Sequence, residues 1–347
     1  MTFSNAPKGR NNNLSFLRFL ASVAVIFSHA FPLTGNGIDP LDRWSGEQFS
    51  LGNAAVAVFF FFGGFLIMRS MEGKKKAGPY FRARCLRIFP ALWIVVLLCV
   101  LVLGPAMTTV SLGEYFTDIR TPMYLLNCLL LPVHPLPGVF ENNPYVPTVN
   151  GSLWTLPVEF VCYVLCWVYY RLGFSKDRRK ALISIPLVLL AAAAADRLLS
   201  GQELLRSAVA PVLFFFIGMH YYLFRVRIPS SPALCIAAAA VWIVSLRFGF
   251  HGIAGYICLP YILMYLGFGT ERTLSRFGSR WELSYGIYLT AWPVQQILCA
   301  VFPGISWWWN FAGAAVLCIP AAFGVTWAEK KLARAADRRL PGKDEGK

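Results

Sequence analysis

Ten stretches of mostly apolar residues, each close to the length of a bilayer-crossing helix, follow one another along this 347-residue chain. A helix rises about 1.5 Å per residue, so roughly 20 apolar residues cross a hydrocarbon core while satisfying every backbone hydrogen bond within the segment. The candidate spans are 14–31, 52–69, 89–107, 153–171, 181–196, 207–224, 232–248, 253–268, 284–302 and 309–328. An eleventh apolar piece, "MYLLNCLLLPV" at 123–133, is too short to cross and ends near Pro132, so it reads as interfacial or re-entrant. The expected fold is all-α: a polytopic membrane protein with one transmembrane domain over 1–330 and a charged tail over 331–347. A composition 57% hydrophobic and only 14% charged excludes an ordinary soluble domain. The first run lacks a small-residue cleavage site and is expected to be retained.

Charge sets the expected orientation, because Lys and Arg concentrate in cytoplasmic loops. With ten spans and both termini cytoplasmic, 26 of the 32 Lys and Arg fall on the cytoplasmic side, including the Lys74 to Lys76 tract. The opposite face receives Arg43, Arg120, Arg197, Arg206 and Arg247, and Arg18 lies inside the first span. The net charge of +15 therefore reads as membrane orientation, in a bacterial-type inner membrane, and nucleic acid is not an expected partner. Two long extracytoplasmic loops, 32–51 and 108–152, are rich in Pro, Gly, Asn and aromatic residues and suggest a vestibule on that side.

The first span carries two ionisable groups. Arg18 and His29 are eleven residues apart, three helical turns plus about 20°, so they leave the same face with roughly 16 Å of rise between them. Either Arg18 snorkels to headgroups and His29 satisfies an interfacial hydrogen bond, or the two mark a functional seam. Glu159 favours the seam: it enters the fourth span five residues after Trp154, at the depth His29 approaches, among the polar Asn150, Ser152 and Thr155. A carboxylate paired with an imidazole would fix its tautomer and raise its basicity, as a general base requires; the alternative is an isolated protonated Glu159 bonded to a carbonyl. Arg84 and Arg87, three residues apart before the third span, are placed to hold phosphate, although positive-inside anchoring competes.

The remaining features read more plainly. Gly63 and Gly64 permit close helix approach or a local break. "LSYGIYLTAWPVQQ" places Tyr285, Tyr288, Trp292, Pro293, Gln295 and Gln296 in the ninth span, lining a cavity or packing at an interface. His134, His220 and His251 read by default as solvent- or headgroup-exposed. The nine cysteines, most of them in apolar stretches, show no metal-ligating or disulfide spacing, and no metal is expected.

Taken in order, these pieces resemble the type 3 acyltransferases, integral membrane enzymes that modify surface glycans and related acceptors. "FLRFLASVAVIFSH" carries that family's arginine, ten residues, histidine signature as Arg18 and His29. "FFFFGGFLI", "RARCLRIFPALW", "SLWTLPVEFVCYV" and "LSYGIYLTAWPV" are similar to its later motifs, with Ala291 where relatives often have a histidine. The resemblance implies an acyl-CoA donor, acetyl-CoA first among them, reaching from the cytoplasm as a substrate, with no permanently bound cofactor. It implies an acceptor hydroxyl on a cell-surface or lipid-linked glycan presented from outside. Arg84 and Arg87 would hold the coenzyme's phosphates, Arg18 and Glu159 would act with His29, and His29 would serve as general base or be transiently acylated. Trp154, Asn150 and Ser152 are the expected acceptor contacts. A transporter or flippase for a lipid-linked glycan is the alternative that ten spans and buried charges equally allow.

Overall fold

In a computed structural model, residues 2–3, 12–73, 76–270, 274–275, 277–278 and 281–338 are described. Lys74, Lys75 and the tail beyond Arg338 lie outside them. Among the described residues the chain is all-helical, without a named strand. The ten expected segments are all helices: α1 Leu14–Leu33, α2 Leu51–Gly73, α3 Ala77–Leu98, α4 Thr155–Arg171, α5 Arg178–Leu198, α6 Val209–Phe224, α7 Pro232–Phe248, α8 His251–Met264, α9 Ser284–Val301 and α10 Trp307–Arg338. Among the described residues, eight helices are long and apolar enough to cross a membrane. The exceptions are α7, only 17 residues long, and α9, whose Tyr, Thr, Trp and Gln side chains lower its hydropathy.

Three boundaries differ from the sequence expectation. The third span begins twelve residues early, at Ala77, and continues through a π-turn at Cys99–Leu103 to Met107. The piece at 123–133 is a short helix, Arg120–Tyr124, then a 3-10 turn, Leu125–Leu129, closed by Leu130 at φ 64°. The last helix runs on into the charged tail as far as Arg338.

Contacts gather into two units that interleave along the chain: Met1–Phe31, Gly37–Phe81 and Thr155–Arg280 form the first, and Pro32–Asn36, Arg82–Trp154 and Trp281–Lys347 the second. In the first unit, α2 and α6 meet backbone to backbone. A Cβ at Gly64 would overlap the Phe215 carbonyl oxygen, and one at Gly218 would overlap the Phe61 carbonyl oxygen. Small residues allow this approach because, in lipid, van der Waals packing rather than water exclusion draws helices together. Of the two sequence readings of Gly63 and Gly64, close approach is the one realised, in an unbroken helix. Gly218→Val is expected to destabilise the protein by at least about 1–3 kcal/mol through overpacking, read as a lower unfolding midpoint in detergent. Gly63→Ala is the control, since its Cβ would rest 3.6 Å from the Phe215 ring, an ordinary contact.

The same unit corrects the reading of His220 as exposed. Its ring is buried, with Nε2 3.1 Å from the Tyr169 hydroxyl, 3.2 Å from Ser184 Oγ and 3.1 Å from the Ala181 carbonyl oxygen, and Nδ1 3.0 Å from that of Phe216. This cluster ties α4, α5 and α6 together, which a residue surrounded by apolar neighbours in sequence did not reveal.

In the second unit, α9 packs along α10 with Gly286 against the Ala322 backbone. Gln295 and Asn310 clasp across this pair: Gln295 Nε2 donates to Asn310 Oδ1 at 2.9 Å, and Asn310 Nδ2 donates to the Gln295 carbonyl at 3.0 Å. The returning end of the loop 108–152 is bolted to α9, because the Thr148 carbonyl accepts from both Trp292 Nε1 and Gln296 Nε2 at 3.0 Å. Gln296 in turn accepts from Asn143 Nδ2 at 2.7 Å.

Candidate active site

His29 lies half-buried in the final turns of α1, and Arg18 occupies the same unbroken helix with its guanidinium 5.7 Å from the Phe59 ring centroid. Continuity of the helix from Leu14 to Leu33 gives the two side chains the common face expected from their spacing. The turn beside His29 is anchored by a buried carboxylate. Asp39 Oδ2 accepts from Ser28 Oγ at 2.6 Å and from the Leu51 backbone N–H at 3.0 Å. Its Oδ1 accepts from the N–H groups of Leu41 and Asp42, both at 3.0 Å, capping the short helix Pro40–Trp44. One side chain thus joins the end of α1, the loop helix and the start of α2. Gly52 leaves room for this junction, since a Cβ there would stand 3.1 Å from Ser28 Oγ.

Glu159 occupies the second turn of α4. Its carboxylate accepts from the Tyr163 hydroxyl, one turn onward on the same helix. This local bond has a geometric reason: residues i and i+4 face each other on a helix whatever the neighbouring helices do. Tyr163 is itself fixed through its carbonyl, which accepts from the Tyr80 hydroxyl at 2.9 Å.

In the second unit, Arg84 and Arg87 are half-buried on consecutive turns of α3. Arg87 stacks its guanidinium 4.6 Å from the centroid of Tyr285, whose hydroxyl donates to the Ile88 carbonyl at 3.2 Å. Glu329 on α10 is in electrostatic reach of Arg87. Arg87 is thereby packed against an aromatic face, a contact that suits a planar guanidinium.

The expected acceptor contacts are mostly engaged in holding the loop. Asn150 is fully buried, donates to the Leu289 carbonyl at 2.8 Å and accepts from the Ser152 N–H at 3.1 Å. Ser152 is buried, and its carbonyl accepts from the Tyr288 hydroxyl at 3.1 Å. Trp154 is half-buried at the end of the 3-10 turn Gly151–Trp154. The motif residues Tyr285, Tyr288, Trp292 and Gln296 are thus the partners that brace α3 and this loop.

Asp39 was not singled out from sequence, although "IDPLDRW" carries the signal: an Asp followed by Pro at the first helical position marks a helix cap. What no local pattern supplies is the second attachment of that carboxylate to Ser28.

The profile of the type 3 acyltransferase domain matches residues 11–328, a stretch that includes Arg18, His29, Arg84, Arg87 and Glu159. The chain belongs to the type 3 acyltransferase family. It is 27% identical over 300 residues to a protein named O-acetyl transferase from Shigella phage Sf6, covering 83% of this chain and 86% of that one. It is 32% identical over 167 residues to nodulation protein 10 of Rhizobium leguminosarum bv. viciae, covering 45% of this chain and 43% of that one. No solved structure matches significantly. The acyltransferase is a membrane enzyme that transfers an acyl group to a hydroxyl, and family membership decides against the transporter alternative.

Proposed function

We propose that this O-acyltransferase moves an acetyl group from cytoplasmic acetyl-CoA to a hydroxyl of a cell-surface or lipid-linked glycan, with both termini in the cytoplasm of a bacterial-type cell and the long loops outside. The observation that carries the reading is α1 itself. One continuous helix carries Arg18 and His29 on a common face about three turns apart, and the turn holding His29 is anchored by Asp39; in the proposed orientation Arg18 lies toward the cytoplasmic leaflet and His29 toward the outer one. The name of the phage relative supports acetyl as the group transferred.

In this mechanism His29 takes the proton of the acceptor hydroxyl as its oxygen attacks the thioester carbonyl. The C–O bond forms, the C–S bond breaks, and the imidazolium returns its proton to the leaving thiolate, so that ester and free CoA are the products. Glu159, held by Tyr163, adds negative charge that favours the imidazolium during the step. Arg18 stands along the path of the donor's pantetheine arm. Arg84 and Arg87 hold the donor's phosphates, and the stacking of Arg87 on Tyr285 limits the entropy lost when they do so. Trp154 offers an aromatic face on the acceptor side.

Two measurements test this. Surface glycans from cells with and without the gene are expected to differ by whole acetyl increments, and identical glycan masses would overturn the glycan part. Arg84→Gln with Arg87→Gln is expected to raise the KM for acetyl-CoA roughly tenfold or more, the scale of one lost charge-assisted hydrogen bond, with little change in kcat. An unchanged KM would remove the phosphate role.

A further inference from the structure

We infer that the second unit holds a binding site for one neutral, hydroxyl-rich sugar ring. The site is a pocket of about 350 Å³ lined by residues 106–109, 140–144, 299–300 and 303–305 together with Thr34. That volume lies at the lower end of the range of roughly 300–1,000 Å³ typical of small-molecule sites, suited to a single ring with its substituents. In the proposed orientation all four segments are extracytoplasmic: the ends of α1 and α3, the loop 108–152 and the α9–α10 turn.

The chemistry of the lining selects the ligand. Glu141 Oε1 accepts from the Gly138 N–H at 3.1 Å and lies 3.8 Å from Arg120 Nη1, whereas Oε2 has no partner among the described residues. Asn143 directs both hydrogen bonds of its Nδ2 to Gln296, which leaves its Oδ1 to accept. Thr108 and Thr109 commit their hydroxyl hydrogens to the Pro137 and Gly138 carbonyls, so they too offer lone pairs. The wall offers mostly acceptors, one of them a carboxylate, with the Asn142 amide able to donate as well, which favours a ligand rich in O–H groups and disfavours an anionic one. Neutral hexoses meet both conditions, whereas uronic acids and sugar phosphates fail the second.

The wall is built to be rigid. Gly138, at φ 67°, admits no side chain, since a Cβ would stand 2.6 Å from Thr108 Oγ1. Phe140 follows at φ 62°, a left-handed conformation unfavourable for an aromatic residue, and it is buried. Backbone held at such a cost next to a pocket is a mark of a functional position. Here it presents Glu141 to the cavity.

This inference rests on the glycan reading only in identifying the ring as part of the acceptor; binding itself requires no turnover. The test uses the full chain in detergent micelles, with saturation-transfer NMR and methyl α-glucopyranoside and methyl α-galactopyranoside as probes. Wild type is expected to transfer saturation to the ring protons of at least one. His29→Ala should do so equally, which separates this site from the acyl-transfer chemistry. Glu141→Gln keeps an oxygen for the Gly138 N–H but presents a donor in place of Oε2, and is expected to weaken binding roughly tenfold or more. Ala106→Trp, at an exposed position on the rim, is expected to abolish it. Absence of transfer to either hexoside, binding unchanged in both variants, or binding of methyl galacturonate in preference to the neutral rings would overturn the proposal. Failure of acyl transfer would be seen separately, as no CoA release by wild type supplied with acetyl-CoA and acceptor.

Discussion

Replacing His29 by alanine is expected to lower acyl transfer by roughly 10²–10⁴-fold, the usual contribution of a positioned general base, while the protein remains folded. The side chain is half-buried in the last turns of a long helix, and alanine is the residue best tolerated there. An unfolding midpoint close to wild type, together with lost turnover, would separate chemistry from structure. Near-wild-type turnover would sink the base assignment. A kinetic split sharpens the test further: a residue acting in the proton transfer lowers kcat, whereas one that only positions the acceptor raises its KM.

Asp39→Ala carries the second large effect, and it is of a different kind. Removing the carboxylate leaves the Ser28 hydroxyl and the N–H groups of Leu41, Asp42 and Leu51 without their acceptor. The buried Ser28 hydroxyl costs about 1–3 kcal/mol once orphaned, and the half-buried N–H groups add less because water can reach them, so a total of about 3 kcal/mol is expected. The unfolding midpoint should fall, and turnover should fall with it, because the turn holding His29 loses its anchor. Asp39→Asn is the graded control: its Oδ1 still serves the cap of the loop helix, whereas an NH₂ group faces Ser28 and Leu51. A midpoint between those of wild type and the alanine variant is expected. If Asp39→Ala unfolds like wild type, the carboxylate is not the clasp described here.

The spans were legible in the sequence because lipid leaves the backbone few choices. All ten apolar runs are helices, and errors are confined to ends, as at Ala77, where the charged "AGPYFRARC" continues a helix whose apolar signal starts later. The early start has a consequence for the site: Arg84 and Arg87 belong to the helix proper, not to a loop before it. The candidate residues were legible as ionisable groups in the wrong solvent, but their partners were not. Glu159 was placed near His29 on depth; that its carboxylate accepts from Tyr163 was not foreseen, because Tyr163 reads as one more aromatic in an apolar run. Asn150 and Ser152 read as substrate contacts because they are polar, and they hold α9 for the same reason. Periodicity reports which face a residue occupies; it carries no information about which neighbour occupies the other side of that face.

The paired glycines of α2 and α6 limit how the protein can move. Two rods touching main chain to main chain, each notched at the point where the other presses, have no low-energy way to slide: displacement of α6 by one turn in either direction would bring Phe214 or Tyr222, four residues to either side of Gly218, against the opposing peptide. Any rearrangement that accompanies a catalytic cycle must carry these rods as one piece and be absorbed elsewhere in the chain.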